Sequence, residues 1–98
     1  MVEENLRHFG NFIWRSRAVR RDGSAALDLC YVACGRFDGF WELGLNPWDT
    51  AAGVLIVEEA GGRVTDFADA DYSIYVKEIL ASNGSIHSEM MDVLTLGR

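Results

Sequence analysis

Apolar positions recur at two periods along this chain. Leu6, Phe9, Ile13 and Trp14 return at roughly helical spacing, which predicts a helix over residues 3–14 despite Gly10. Residues 16–21, Ser-Arg-Ala-Val-Arg-Arg, read as a short strand, and Asp22-Gly23-Ser24 as a turn and helix cap. A helix follows over residues 25–34, with Gly35 as its stop. From Phe37 to Leu43 the period changes to two: Phe37, Gly39, Trp41 and Leu43 share one face, and Asp38, Phe40 and Glu42 the other. That is a strand with Glu42 on its more polar side. Asn46-Pro47 then opens a helix over residues 47–60: Pro47 has φ preset for the first helical position, and Asn46 can cap the free backbone donors. Residues 51–60 are apolar nearly all round, which predicts a buried helix ended by Gly61-Gly62. Strands are expected over residues 63–67 and 78–82, with a loop at 68–75 between them. Asn83-Gly84 is a turn, and residues 85–96 form a last helix capped by Ser85. Alternating helices and strands imply a layered α/β structure, here one domain over residues 1–98.

Three features of this pattern can converge at a sheet edge. Asp49 falls in the first turn of the Pro47 helix. A first-turn acid complements the helix dipole, which is the plainer reading. A carboxylate aimed into a buried helix start otherwise needs a hydrogen bond, an Arg or a metal ion. Glu42 lies seven residues earlier, near the end of the preceding strand. Gly23, Ser24 and Ala25 form another entry into a helix, where free N–H groups can hold oxygen atoms of a polar ligand. Ligands in open α/β sheets bind outside strand ends, beside helix N-termini. The structural alternative is a tight turn at Gly23 and a solvent-facing strand end at Glu42.

Other polar residues read as structural. Asp28 and Asp38 are expected to partner the cationic run Arg15, Arg17, Arg20 and Arg21. His8 and His87 have no Cys, His or paired acid at ligand spacing, and surface positions are expected for both. Ser24 has no nearby His or Lys to activate it as a nucleophile. Cys30 and Cys34, four apart on a helix, match neither a zinc knuckle nor a redox pair, and buried free thiols are expected.

Composition narrows the function classes. A net charge of −6 argues against nucleic acid as a partner, because phosphate contacts want a basic face. No apolar run approaches the roughly 20 residues that span a bilayer, so no membrane partner is expected. Residues 1–20 are charged and lack an apolar core, so no secretory leader is expected, and a reducing cytoplasm suits the free thiols.

The blocks Arg20-Arg21-Asp22-Gly23-Ser24-Ala25-Ala26-Leu27-Asp28-Leu29, Asp38-Gly39-Phe40-Trp41-Glu42, Pro47-Trp48-Asp49-Thr50-Ala51-Ala52-Gly53 and Glu59-Ala60-Gly61-Gly62 together resemble the inositol monophosphatase family. The resemblance covers almost the whole chain. It implies a Mg²⁺-dependent phosphatase of phosphate monoesters. By that resemblance, Asp49 looks like a metal-ligand aspartate that also lies near a substrate hydroxyl. Glu42 looks like the acid that hydrogen-bonds inositol or sugar hydroxyls. Gly23, Ser24 and Ala25 look like the turn that touches substrate through its backbone. The implied fold is a layered α/β half-domain, with a mixed, mostly parallel sheet and helices on both faces, as in the C-terminal part of such phosphatases.

The family pattern also contains an earlier Glu and an Asp-Pro-x-Asp-Gly-Thr motif. Neither occurs here, and Pro47 is the sole proline. The chain is therefore expected to be the C-terminal portion without its N-terminal subdomain, and inactive alone. Mg²⁺ wants octahedral oxygen coordination at roughly 2.0–2.1 Å, and one carboxylate in an open site holds it weakly. Two-metal chemistry needs ions roughly 3.5–4 Å apart, which one Asp cannot hold. The contrasting expectation is a non-catalytic domain that binds itself or a partner. Related substrates, such as fructose-1,6-bisphosphate or a nucleotide 3′-phosphate, are alternatives to an inositol phosphate. The amphipathic helix over residues 6–14 and the aromatics Phe40 and Trp41, on opposite faces of one strand, predict a homo-oligomer.

Overall fold

Seven elements follow one another: α1 Val2–Arg15, α2 Ala25–Ala33, β1 Gly39–Leu43, α3 Pro47–Glu59, β2 Arg63–Thr65, β3 Glu78–Ser82 and α4 His87–Thr95. The structure is a computed structural model, and it describes residues 2–19, 24–44, 47–73 and 77–96. Arg20, Arg21, Asp22, Gly23 and Asn46 lie outside the described residues.

β3 is the middle strand of a sheet ordered β1-β3-β2. Its alternation builds the two halves of the core. Ile79 and Ala81 pack with Leu29 and Val32 of α2 and with Val54 and Val57 of α3. Leu80, one residue out of phase, packs with Phe12 of α1 and with Met90 and Leu94 of α4. Helices therefore cover both faces of the sheet, as expected. Phe40 and Trp41 divide likewise: Phe40 joins the α2/α3 side, and Trp41 stacks on Phe12 at 4.3 Å between centroids.

The sheet direction differs from the expectation. Both hydrogen-bonded pairs are antiparallel, with Gly39 and Arg63 each opposite Ser82. β1 and β2, joined by α3, run the same way. β3, however, enters between them and opposes both. The link from β2 to β3 carries no helix among its described residues, so it brings the chain back in the opposite direction.

Local hydrogen bonds move several boundaries. Residues 16–19 are not a strand: the Ser16 hydroxyl and N–H both donate to the Phe12 carbonyl, at 2.6 and 2.8 Å, and close α1. β2 stops at Thr65 because the Asp66 carboxylate accepts the N–H groups of Ala68 and Ala70 at 2.8 and 3.0 Å, which bends the chain away. Ser85 does not cap α4. Its N–H donates to Asn83 Oδ1 at 2.9 Å, and the helix begins at His87 after Ile86. Ser24 does cap α2, its hydroxyl oxygen accepting the Leu27 N–H at 3.2 Å.

Two burial expectations fail. α3 buries one face only, through Thr50, Gly53, Val54 and Val57, while Trp48, Leu55 and Ile56 are exposed. Its all-round apolarity reflects a second face with nothing over it among the described residues. Cys34 is exposed because it sits at the C-cap of α2, and Cys30 is half-buried. Helices α2 and α3 approach closely at Gly53, where an added Cβ would lie 2.7 Å from Leu29 Cδ1 and 2.9 Å from Leu29 Cβ. A glycine is needed there to let the two helices approach this closely.

Candidate functional site: a cleft at two helix N-termini

The chain leaves α2, turns at Gly35 with φ +85°, and returns along β1 to enter α3. This α2-turn-β1-α3 path gathers the start of α2, the end of β1 and the start of α3. Ser24, Ala25, Glu42 and Asp49 all line one open cleft of about 1240 Å³. Asp28, Asp38 and Trp48 line it too. Gly23, the remaining expected member, lies outside the described residues.

Each residue has a local reason for its place. Asp49 is the third residue of α3, where the N–H groups have no intrahelical acceptor and the dipole favours negative charge. It is half-buried, between exposed Trp48 and buried Thr50. Glu42 shares the strand face of Phe40, on the side of α2 and α3. The Ser24 hydroxyl is engaged in capping, so what α2 offers a ligand is the N–H set of its first turn. Among the described residues β1 is an outer strand, and the cleft wraps its free edge.

Donor chemistry limits what the cleft can hold. Among the described residues, no group of three or more His, Cys, Asp or Glu is placed to hold a metal ion. A pair of carboxylates such as Asp49 and Glu42 does not by itself complete the octahedral oxygen shell that a hard cation such as Mg²⁺ wants. No catalytic step is built through a metal on these residues alone.

Both histidines depart from the surface expectation. His8 is fully buried, its Nε2 3.2 Å from Glu4 Oε2 and its ring edge-on to Phe67 at 5.5 Å between centroids. His87, 1% exposed, joins three elements. Its Nε2 is 2.8 Å from Thr65 Oγ1 of β2, and its Nδ1 is 2.7 Å from Ser82 Oγ of β3. Burial and the Arg63 guanidinium lower its pKa from 6.5, and the Asp69 carboxylate opposes them. Neither histidine lines the cleft.

The sequence pattern of the Inositol monophosphatase family matches residues 3–95. The chain belongs to that family. It is 47% identical over 93 residues to an inositol-1-monophosphatase of Synechocystis, a match covering 95% of this chain and 32% of that protein. It is 49% identical over 80 residues to a fructose-1,6-bisphosphatase/inositol-1-monophosphatase of Thermotoga maritima, covering 82% of this chain and 31% of that one. The solved inositol monophosphatase of Anabaena superposes with a TM-score of 0.89 at 50% identity, over 92% of this chain and 36% of its own. This member thus spans about a third of the length of the relatives it matches. No helix among the described residues is long and apolar enough to cross a membrane.

Proposed function

We propose that this chain is the C-terminal portion of a Mg²⁺-dependent phosphatase that hydrolyses inositol monophosphate or a related polyol phosphate monoester. One observation carries the reading. Ser24, Ala25, Glu42 and Asp49, far apart in sequence, line one cleft at two helix N-termini. Asp49 is the acid toward the metal. Glu42 is the acceptor for substrate hydroxyls, and Gly23, Ser24 and Ala25, which lead into α2 in sequence, meet substrate through backbone N–H groups. Fructose-1,6-bisphosphate is the second substrate reading, favoured by the name of the Thermotoga relative. Free Cys30 and Cys34 suit a reducing cytoplasm as its location.

This portion holds the substrate rim and not the full set of metal ligands. Pure chain should release no phosphate from inositol 1-phosphate above the buffer rate, and calorimetry should show no Mg²⁺ binding tighter than about millimolar. The same chain continued by the remaining two-thirds of a family member should turn over inositol 1-phosphate. Turnover by the isolated chain overturns the assignment of roles, and a complete protein inert toward inositol, fructose and nucleotide phosphates overturns the function.

The uncovered apolar surface supports self-association. Leu6, Phe9 and Ile13 form an outward stripe on α1, with Trp14 86% exposed beside it, and Trp48, Leu55 and Ile56 stand out from α3. Hiding about 400 Å² of such surface would favour association by about 10 kcal/mol before its entropic costs. Light scattering across a dilution series should give at least twice the 10.9 kDa chain mass. A mass that stays monomeric at high concentration, with no binding of a hydrophobic dye, removes the proposal.

A further inference from the structure

We propose that Tyr72, acting through Thr50, is a positioning residue for Asp49, a role that rests on reading Asp49 as the metal-ligand acid. Thr50 follows Asp49 in the first turn of α3 and is fully buried. Its Oγ1 lies 2.9 Å from the Tyr72 hydroxyl, 22 residues further along the chain. The two hydroxyls share this hydrogen bond, and Thr50 Oγ1 also lies 3.5 Å from the Pro47 carbonyl oxygen.

Packing alone does not account for these hydroxyls. Thr50 shares its face of α3 with Gly53, Val54 and Val57. A valine would fill the same volume there without a polar atom to satisfy. The hydroxyl is matched because the chain brings a tyrosine to it, and the tyrosine comes from a braced loop. Thr65 bridges to Asp71. The Asp66 carboxylate holds two loop N–H groups, and Arg63 pairs with Asp69 at 2.8 Å. The Tyr72 ring then lies against the α2/α3 core.

The first turn of α3 needs such a tie. A helix start has no intrahelical acceptors for its N–H groups, and it frays first. Trp48 is 78% exposed and Asp49 half-buried, so Thr50 is the fully buried anchor of residues 47–50. The direction of the Asp49 carboxylate follows the dihedrals of that turn. A ligand carboxylate must be held within about 0.5 Å to do its work.

The test uses this chain with Tyr72→Phe, Thr50→Val, the double variant and Thr50→Ser. The first readout is amide hydrogen exchange at Ala51, Ala52 and Gly53, whose N–H groups close the first turns of α3. Tyr72→Phe and Thr50→Val should each speed that exchange about fivefold, the change that one net hydrogen bond represents. The double variant should do no worse than either single one. Thr50→Ser, which keeps the hydroxyl, should restore slow exchange, and Met90 to Leu94 in α4 should be unaffected throughout. The second readout is Mn²⁺-induced broadening of the Asp49 resonances, which should need several times more Mn²⁺ in Tyr72→Phe. Wild-type exchange in Tyr72→Phe, additive effects, or loss spread evenly into α4 overturns the positioning role. So does Mn²⁺ response in Tyr72→Phe equal to wild type. If wild type shows no broadening at Asp49, or if broadening at position 49 persists in Asp49→Asn, the metal-ligand reading is overturned instead, and the exchange data alone then decide the tie between Tyr72 and Thr50.

Discussion

Asp49→Asn, placed in the complete phosphatase, should lower kcat by at least about a hundredfold, the scale of losing one group that stabilises a transition state. The substitution keeps the size and shape of the side chain and removes its charge. Stability should move little. Asp49 sits in the first turn of α3, where a favourable charge–dipole contact contributes roughly 0.3–1 kcal/mol, and an asparagine is tolerated there. Saturating Mg²⁺ should not restore the rate, because an amide oxygen lacks the charge that a hard cation selects. Steady-state kinetics against Mg²⁺ concentration, beside a denaturant titration, checks both halves. Near-normal turnover at saturating Mg²⁺ would leave Asp49 as a helix-capping acid and nothing more.

The elements that can be read from sequence are those with a strong local cause. Pro47 fixes the start of α3, and its bound falls where the sequence places it. The period-two run from Phe37 to Leu43 gives β1 and assigns Phe40 and Trp41 to opposite layers. Glycine stops and the Ser24 cap give α2. The candidate cleft follows from these, because α2, β1 and α3 are consecutive, and their order alone brings Ser24, Ala25, Glu42 and Asp49 to one end.

What escapes the sequence is set by pairing at a distance. No local signal says that β3 enters between β1 and β2, so the sheet direction is misread. Nor does apolarity say which side of α3 is covered by this chain. The exposed Leu55 and Ile56 look the same in sequence as the buried Val54 and Val57. The histidines carried a usable signal. His8 stands four residues before buried Phe12, and His87 stands three and seven before buried Met90 and Leu94. Each lies on the inward stripe of its own helix, and helical spacing outranks residue polarity as a guide to burial when a partner is within reach. The partners of His87 are 22 and 5 residues away in sequence, on two different strands, which no local reading supplies.

His87→Ala should cost about 3 kcal/mol, a large share of the roughly 5–15 kcal/mol that holds a domain of this size. The hydrogen bonds assign the neutral tautomer with its proton on Nε2. The Thr65 hydroxyl donates to the Asp66 carbonyl at 2.8 Å, so its oxygen accepts from Nε2–H. Ser82 Oγ accepts the Gly84 N–H at 3.0 Å, so its own proton goes to Nδ1. Every donor has one acceptor. Truncation to alanine strips a partner from each of two buried hydroxyls and leaves a cavity where β2, β3 and α4 meet. Protonation is opposed for the same reason: a second ring proton would point at an oxygen already receiving a hydrogen bond. Burial, the Arg63 guanidinium and the start of α4 all act against the cation, and Asp69 alone favours it. The folded pKa is therefore below the unfolded value, and in that window the unfolded chain binds the extra proton. Stability rises with pH there. The contribution is fully present above about pH 6.5, is lost as pH falls from there toward the lowered folded value, and levels off below it. Urea unfolding of wild type and variant at half-unit steps from pH 8 to pH 5 separates the effects. Their midpoints should differ most above pH 6.5 and converge on acidification, with equal m-values throughout. A gap that stays constant across the range would mean that His87 binds its proton equally in the folded and unfolded chain, and that the network tolerates the cation.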